Sequence, residues 1–321
     1  MDLIKKCPWQ KCAPLIALLL LVFISAMMSE TFLNPRNITN VLRQVSYTGV
    51  IAVGMTFVII AAGIDLSVGS MMALVGIISF MTLNNFYGME ETQMSESRAI
   101  AIYVGLNLIL GLLFGALNGL LVTVGRIAAF IATLGTMSIY RSMTTFVSDA
   151  QEISNDSDLL YEIGGGYFFG IPNPVISFFV LVVFGHIILN NTAFGRHVCA
   201  VGSNEEVARF SAISVKKTKF MTYVIAGFCV GLSALMLGSR LGAISPGDTG
   251  HFYELDAIAA VVIGGTALSG GKGTIIGTAI GAIILGVIDN MLNLMDVSPY
   301  LQGSVKGSVI LMAVLAQYKK K

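Results

Sequence analysis

The chain has 321 residues, of which 55% are hydrophobic and 12% charged, where soluble domains carry about 25% charged residues. Lys and Arg number 19 against 18 Asp and Glu, a net charge of +1, so the basic excess of a nucleic-acid binder is missing. With a mean hydropathy of +0.82, this excludes a disordered chain, argues against an ordinary soluble enzyme and predicts one polytopic, all-α membrane domain over 1–321.

A membrane-crossing helix needs about 20 mostly apolar residues. In chain order the sequence offers 13–29, 45–62, 66–83, 99–122, 127–147, 173–190, 219–241, 257–270, 274–294 and 301–318, about ten spans. The first resembles a signal peptide, with Lys5, Lys6 and Lys11 before a leucine run, but the spans behind it favour an uncleaved anchor. Basic residues gather in cytoplasmic loops. The N-terminus, loop 191–218 (Arg196, Arg209, Lys216, Lys217) and the C-terminal Lys319, Lys320 and Lys321 are basic and are expected inside. Loops 148–172 and 242–256 carry acidic residues and no basic ones, and loop 84–98 has only Arg98; these are expected outside. Loop 30–44 is the exception, placed outside although it carries Arg36 and Arg43; two re-entrant helix hairpins are the topological alternative. The 35 glycines and 16 methionines suit close helix packing. Four cysteines without a C-x-x-C and three scattered histidines predict unpaired thiols and no metal site.

Spans 45–62 and 66–83 are nearly continuous, parted by Ala61-Ala62-Gly63-Ile64-Asp65-Leu66-Ser67-Val68-Gly69-Ser70. Asp65 facing lipid unpaired would cost at least ~2.5–3.5 kcal/mol, so it is expected to face a cavity, a cation or free backbone donors. Gly63 permits a turn, and Asp65 or Ser67 can cap the next helix. Farther on, loop 191–218 contains Gly202-Ser203-Asn204-Glu205-Glu206-Val207-Ala208-Arg209-Phe210. Asn204 is a helix cap, Glu205 and Glu206 sit where the helix dipole favours negative charge, and Arg209 follows Glu205 at i+4. Val207, Phe210 and Ile213 fall on one side, giving a short amphipathic helix over 204–213 that either docks into a partner's groove or lies on the membrane surface as a linker.

A second break, Gly264-Gly265-Thr266-Ala267-Leu268-Ser269-Gly270-Gly271-Lys272-Gly273-Thr274, parts spans 257–270 and 274–294. Aligning Gly63 with Gly271 also aligns Gly69 with Gly277 and Ser70 with Thr278. Paired interrupted segments of this kind mark a transporter's pathway or pivot, and Asp65 and Lys272, of opposite sign at neighbouring aligned positions, either pair directly or contact the transported solute. Lys272 is not part of a P-loop, because Gly273 follows it and Thr266 stands where the first glycine belongs, so this chain does not hydrolyse ATP itself. No hydrolase motif occurs, and no catalytic residue, metal or cofactor is assigned. Arg141, Arg240 and Lys306 are read as snorkelling to the interface. Sparse ionisable residues argue against a proton relay and favour a neutral or weakly charged polar solute.

The run Ala61–Ser70 resembles the signature of membrane permeases from ribose-type sugar ABC importers. So do Arg126-Ile127-Ala128-Ala129-Phe130-Ile131-Ala132-Thr133-Leu134-Gly135, Gly202–Glu206, and Tyr253–Thr266 continuing into Gly270–Gly273. The resemblance implies a type II ABC importer-like fold, an inner-membrane location and monosaccharide translocation by alternating access, to which the charge pattern adds both termini in the cytoplasm. It also implies partners: a separate ABC ATPase subunit, an extracytoplasmic sugar-binding protein and a second permease chain, identical or not, all within membrane lipid and without nucleic acid. Gly202, Asn204, Glu205, Glu206 and Arg209 then belong to the ATPase-coupling segment. Gly63, Asp65, Ser67, Phe130, Thr133 and Lys272 become candidates for the pathway or its pivot, with span 127–147 as pathway lining or, alternatively, helix packing. Ala212 departs from the family, whose members usually carry glycine there. A gradient-driven secondary transporter is the alternative function.

Overall fold

The computed structural model describes residues 9–87 and 95–318. The basic residues Lys5, Lys6, Lys319, Lys320 and Lys321, the thiol of Cys7 and the middle of loop 84–98 lie outside the described residues. Helices α1 (Trp9–Met28), α2 (Pro35–Ile60), α3 (Val68–Tyr87), α4 (Glu96–Thr123) and α5 (Ala129–Val147) come first. A connecting region follows, with β1 (Ile153–Ser154), α6 (Asp158–Gly164), β2 (Tyr167–Phe168) and β3 (Ile171–Pro172). Then come α7 (Asn173–Asn191), α8 (Ala193–Ser203), α9 (Glu205–Phe210), α10 (Val215–Leu241), β4 (Ala243–Ile244), α11 (Tyr253–Ile263), α12 (Ile275–Leu294) and α13 (Pro299–Tyr318).

Six of these helices, α2, α3, α4, α7, α10 and α12, are long and apolar enough to cross a membrane. Two others expected as spans fall short of that mark for local reasons: α5 carries Arg141 and several threonines, and α11 has only 11 residues before glycines end it.

Helix α2 is the hub. It touches α7, α10, α11 and α12, and from Val50 to Ala61 every residue is buried. Its start corrects the sequence reading, because residues 35–44 are helix and not loop. Pro35 opens the first turn and the Asn34 side chain accepts from Arg36 N–H at 3.0 Å, the usual position for a helix-starting proline. Arg43, the anomalous basic residue of that supposed loop, is buried with its guanidinium 4.6 Å from the centre of the Tyr167 ring, a cation–π contact.

Helices α4 and α10 meet backbone to backbone. A methyl group on Gly115 would lie 2.8 Å from the Gly227 Cα, and one on Gly111 2.9 Å from that of Gly231. Both pairs are spaced by four residues, so each helix presents a flat strip to the other. Cys199 and Cys229 are unpaired, and burial pushes the Cys199 thiol above its ordinary pKa.

The segment 242–256 is not simply an outer loop. Strand β4 pairs antiparallel with β1, Ile244 opposite Ile153, and the chain then descends along α3. Ile244 packs against Gly76, and Gly250 lies backbone to backbone with Gly69 in the first turn of α3. Arg141 holds this strip by donating Nη1 to the carbonyls of Pro246 (2.8 Å) and Thr249 (3.1 Å). It therefore does not snorkel. Neither does Lys306, whose ammonium sits 3.1 Å from the Asp256 carboxylate and 3.0 Å from that of Asp289, tying α13 to α11 and α12. Arg240 donates to the Tyr47 hydroxyl at 3.4 Å.

Candidate functional site

The first break starts where α2 runs out of backbone partners. Ala62 takes a left-handed φ of 57°, and Gly63 N–H returns to the Val58 carbonyl at 2.9 Å. Asp65 is fully buried. Its Oδ1 accepts from Ser67 N–H at 2.9 Å and from the Ser67 hydroxyl at 2.7 Å, so Asp65 caps the entry to α3. Asn118 of α4 donates to Asp65 Oδ2 at 3.2 Å and to Ser67 Oγ at 2.7 Å. Tyr140 of α5 donates to Asn118 Oδ1 at 3.4 Å, and Tyr223 of α10 donates to the Ile64 carbonyl at 3.1 Å. Four helices are thus knotted around one carboxyl group by neutral hydrogen-bonding partners, with no cation beside it.

A direct pair between Asp65 and Lys272 does not form. The ion pairs among the described residues are those of Lys219 with Glu205 and of Lys306 with Asp256 and Asp289. Lys272 sits instead in a turn whose two preceding residues, Gly270 and Gly271, have φ of 85° and 78°, a conformation that favours glycine. That turn lies against the first break: Gly271 N–H donates to the Ile60 carbonyl at 2.8 Å, and a methyl on Gly270 would lie 2.8 Å from the Ala62 Cβ. Beyond it, the Thr274 hydroxyl caps α12 by accepting from Gly277 N–H at 3.0 Å. The hydroxyls of Thr56 and Thr278 meet at 2.8 Å between α2 and α12.

Helix α9 is built as its sequence predicts at one end and differently at the other. Asn204 Oδ1 accepts from Glu206 N–H (2.9 Å) and Val207 N–H (3.0 Å). The helix stops at Phe210, short of the expected Ile213, because Ala212 turns to a left-handed φ of 58°. Glu205 pairs with Lys219 of α10 rather than with Arg209, since α10 brings a cation alongside the first turn. Just before the cap, Gly202 lies against the Ile60 carbonyl and Gly271 N–H, with no space for a Cβ. The α8–α9 junction therefore touches both breaks at once. On the far side, Val207 is 59% and Phe210 90% exposed. Between α9, the end of α2 and the starts of α5 and α10 lies a cavity of about 880 Å³, with Gly63, Arg126, Arg209 and Lys216 on its wall.

Residues 37–314 match a protein family described as the permease component of the branched-chain amino acid transport system. The chain is 43% identical to the ribose import permease protein RbsC of Haemophilus influenzae, covering 94% of this chain and 91% of that one. It is 44% identical to RbsC of Bacillus subtilis (97% and 94%) and 34% identical to the xylose transport system permease protein XylH of Escherichia coli (94% and 89%). The chain belongs to this permease family.

In the permease, the candidate residues divide into groups. Asp65 and Ser67 are locked in the buried knot. Thr133 is buried at its edge, bonded to the Ala129 carbonyl at 2.8 Å and 3.5 Å from that of Ile64. Gly63 faces the cavity, Phe130 is exposed on α5, and Lys272 belongs to the second break. Gly202, Asn204, Glu205, Glu206 and Arg209 are brought together in the α8–α9 junction. Sequence reasoning missed Asn118, Tyr140 and Tyr223. An asparagine inside an otherwise apolar span was the available signal, since a buried amide requires a partner. It also missed the Asp256–Lys306–Asp289 bridge, in which Lys306 lies 50 and 17 positions from its two carboxylate partners.

Proposed function

We propose that this multi-pass permease is the membrane-spanning subunit of an ABC importer for a monosaccharide of the ribose or xylose kind. The observation that carries the proposal is near end-to-end similarity to import permeases whose names specify those sugars. The family's own description refers to branched-chain amino acids, but the sugar reading rests on relatives aligned over more than nine-tenths of this chain. About ten crossings with both termini in the cytoplasm account for the basic loop 191–218, and one of those crossings is the broken run from the 245–252 strip through α11.

ATP hydrolysis belongs to a separate ATPase subunit, with a second permease chain and an extracytoplasmic binding protein completing the importer. The ATPase meets α9, whose Val207 and Phe210 are exposed apolar anchors on a capped, clamped helix. Motion of α9 reaches the pathway through Gly202, which abuts both breaks. Alternating access then follows from differential contact with α9 in the two nucleotide states. The single pathway candidates act in different ways: Asp65 and Ser67 hold the pivot, while Gly63, Phe130 and α5 lie nearer the path.

Extraction in mild detergent followed by mass spectrometry tests the assignment: an ATPase should co-purify at about one per permease chain. Phe210→Asp should abolish co-purification and sugar uptake while thermal unfolding stays unchanged. A stable permease without an ATPase, still accumulating sugar down an ion gradient, would instead support a secondary transporter.

A further inference from the structure

The cavity beside the first break is lined by charge of one sign. Arg126, Arg209, Lys216 and Lys219 face it against one carboxylate, Glu205, which is already paired with Lys219. Among the described residues no carboxylate pairs with the other three, so three positive charges stand uncompensated around one concavity. Two long helices begin on the same wall, α5 after Ala128 and α10 after Ser214, and neither start has a side-chain cap. Their partial positive ends add to the same field. Arg126 holds a left-handed φ of 55°, a conformation that a non-glycine residue keeps only where its surroundings impose it.

The general gathering of basic residues in cytoplasmic loops accounts for the sign of these charges. It does not account for their convergence on one hollow of about 880 Å³, a size typical of small-molecule sites. A neutral sugar gains nothing from such a field, whereas an oxyanion does.

We infer that this cavity binds a phosphate-bearing anion through Arg126, Arg209, Lys216 and Lys219. The inference rests on the permease reading for which side the cavity faces and for the sugar phosphate as one source. Two sources share the chemistry. One is a sugar phosphate, the product class of phosphoryl transfer to an imported sugar, which would let the importer sense the pool it fills. The other is the headgroup of an anionic lipid.

The test uses the full-length chain in nanodiscs. In discs of phosphatidylcholine alone, ribose 5-phosphate should bind saturably and ribose should not. The double variant Arg126→Gln with Lys216→Gln should weaken that binding by at least about tenfold, while Arg126→Lys with Lys216→Arg should retain it. In discs containing phosphatidylglycerol, enrichment of that lipid around wild type but not around the glutamine variant, with no response to ribose 5-phosphate, identifies the headgroup as the source. Binding of neither ligand that depends on the two cations overturns the site. Matching thermal unfolding of both double variants excludes misfolding. Sugar uptake is scored separately, so failure to transport would count against the permease reading and leave the binding result standing.

Discussion

Asp65 is a buried carboxyl without a counter-cation, held by hydrogen bonds to its two oxygens. Ser67 and Asn118 supply four short polar contacts to its carboxylate and to each other. Asp65→Ala leaves the Ser67 and Asn118 donors unsatisfied and should cost about 1–3 kcal/mol, read as a lower unfolding temperature in detergent. Lys272→Ala should be nearly neutral in the same assay. Exchanging the two charges should therefore not restore uptake lost in Asp65→Lys, because no pair exists to restore. Ala212 presents the opposite case. Its left-handed φ of 58° costs an alanine roughly 1 kcal/mol more than a glycine, so Ala212→Gly, the residue usual in the family it resembles, should stabilise the end of α9. Slower proteolysis of the 204–213 segment would register that gain. The resemblance alone marked residue 212 as a departure, and the sign of its φ depends on where α10 must begin, which is a tertiary constraint.

At the scale of elements, the legible features were those written in local chemistry. Asn204 as a cap, the glycine-rich turns that separate α2 from α3 and α11 from α12, and the apolar side of α9 all follow from neighbours within a few residues. What stayed hidden was how separate segments meet. Nothing local in Gly202 says that it abuts Ile60 and Gly271, 142 and 69 positions away, or that loop 242–256 folds down beside α3. Gly202→Val places a side chain where the Ile60 carbonyl already stands and should detach α8 and α9 from both breaks. On the proposed importer reading, the expected result is a folded permease that still co-purifies with an ATPase but whose uptake falls at least about tenfold, since the exposed α9 surface is kept while its link to the breaks is lost. Wild-type uptake in that variant would show that the contact carries no motion.

The whole molecule is organised around α2, with the polar knot between α3, α4, α5 and α10 on one side and α11, α12 and α13 on the other. The second group is joined by Lys306 between Asp256 and Asp289. Lys306→Met leaves two neighbouring carboxylates without their cation and should destabilise the protein by about 3–5 kcal/mol. Combining it with Asp256→Asn and Asp289→Asn should recover most of that loss, measured by thermal unfolding of the detergent-solubilised chain. That the chain is mostly helical, with several helices apolar enough to cross a membrane, was legible in its hydropathy. The places where arginine and lysine stay inside the protein were not, because a carbonyl of Pro246 or an acid on another helix is as good a partner as the interface, and only the fold decides between them.

The backbone contact between α4 and α10 sets a limit on how such a machine can work. Gly111 and Gly115 lie against Gly227 and Gly231, so over that central turn no side chain stands between the two helices that could slide, tilt or change rotamer. Two surfaces joined in that way behave as a weld. Any cycle of opening must carry α4 and α10 as one solid piece and take its bending from the glycine-lined breaks at the ends of α2 and α11, so a crosslink across the weld should leave the cycle running, and a crosslink across either break should stop it.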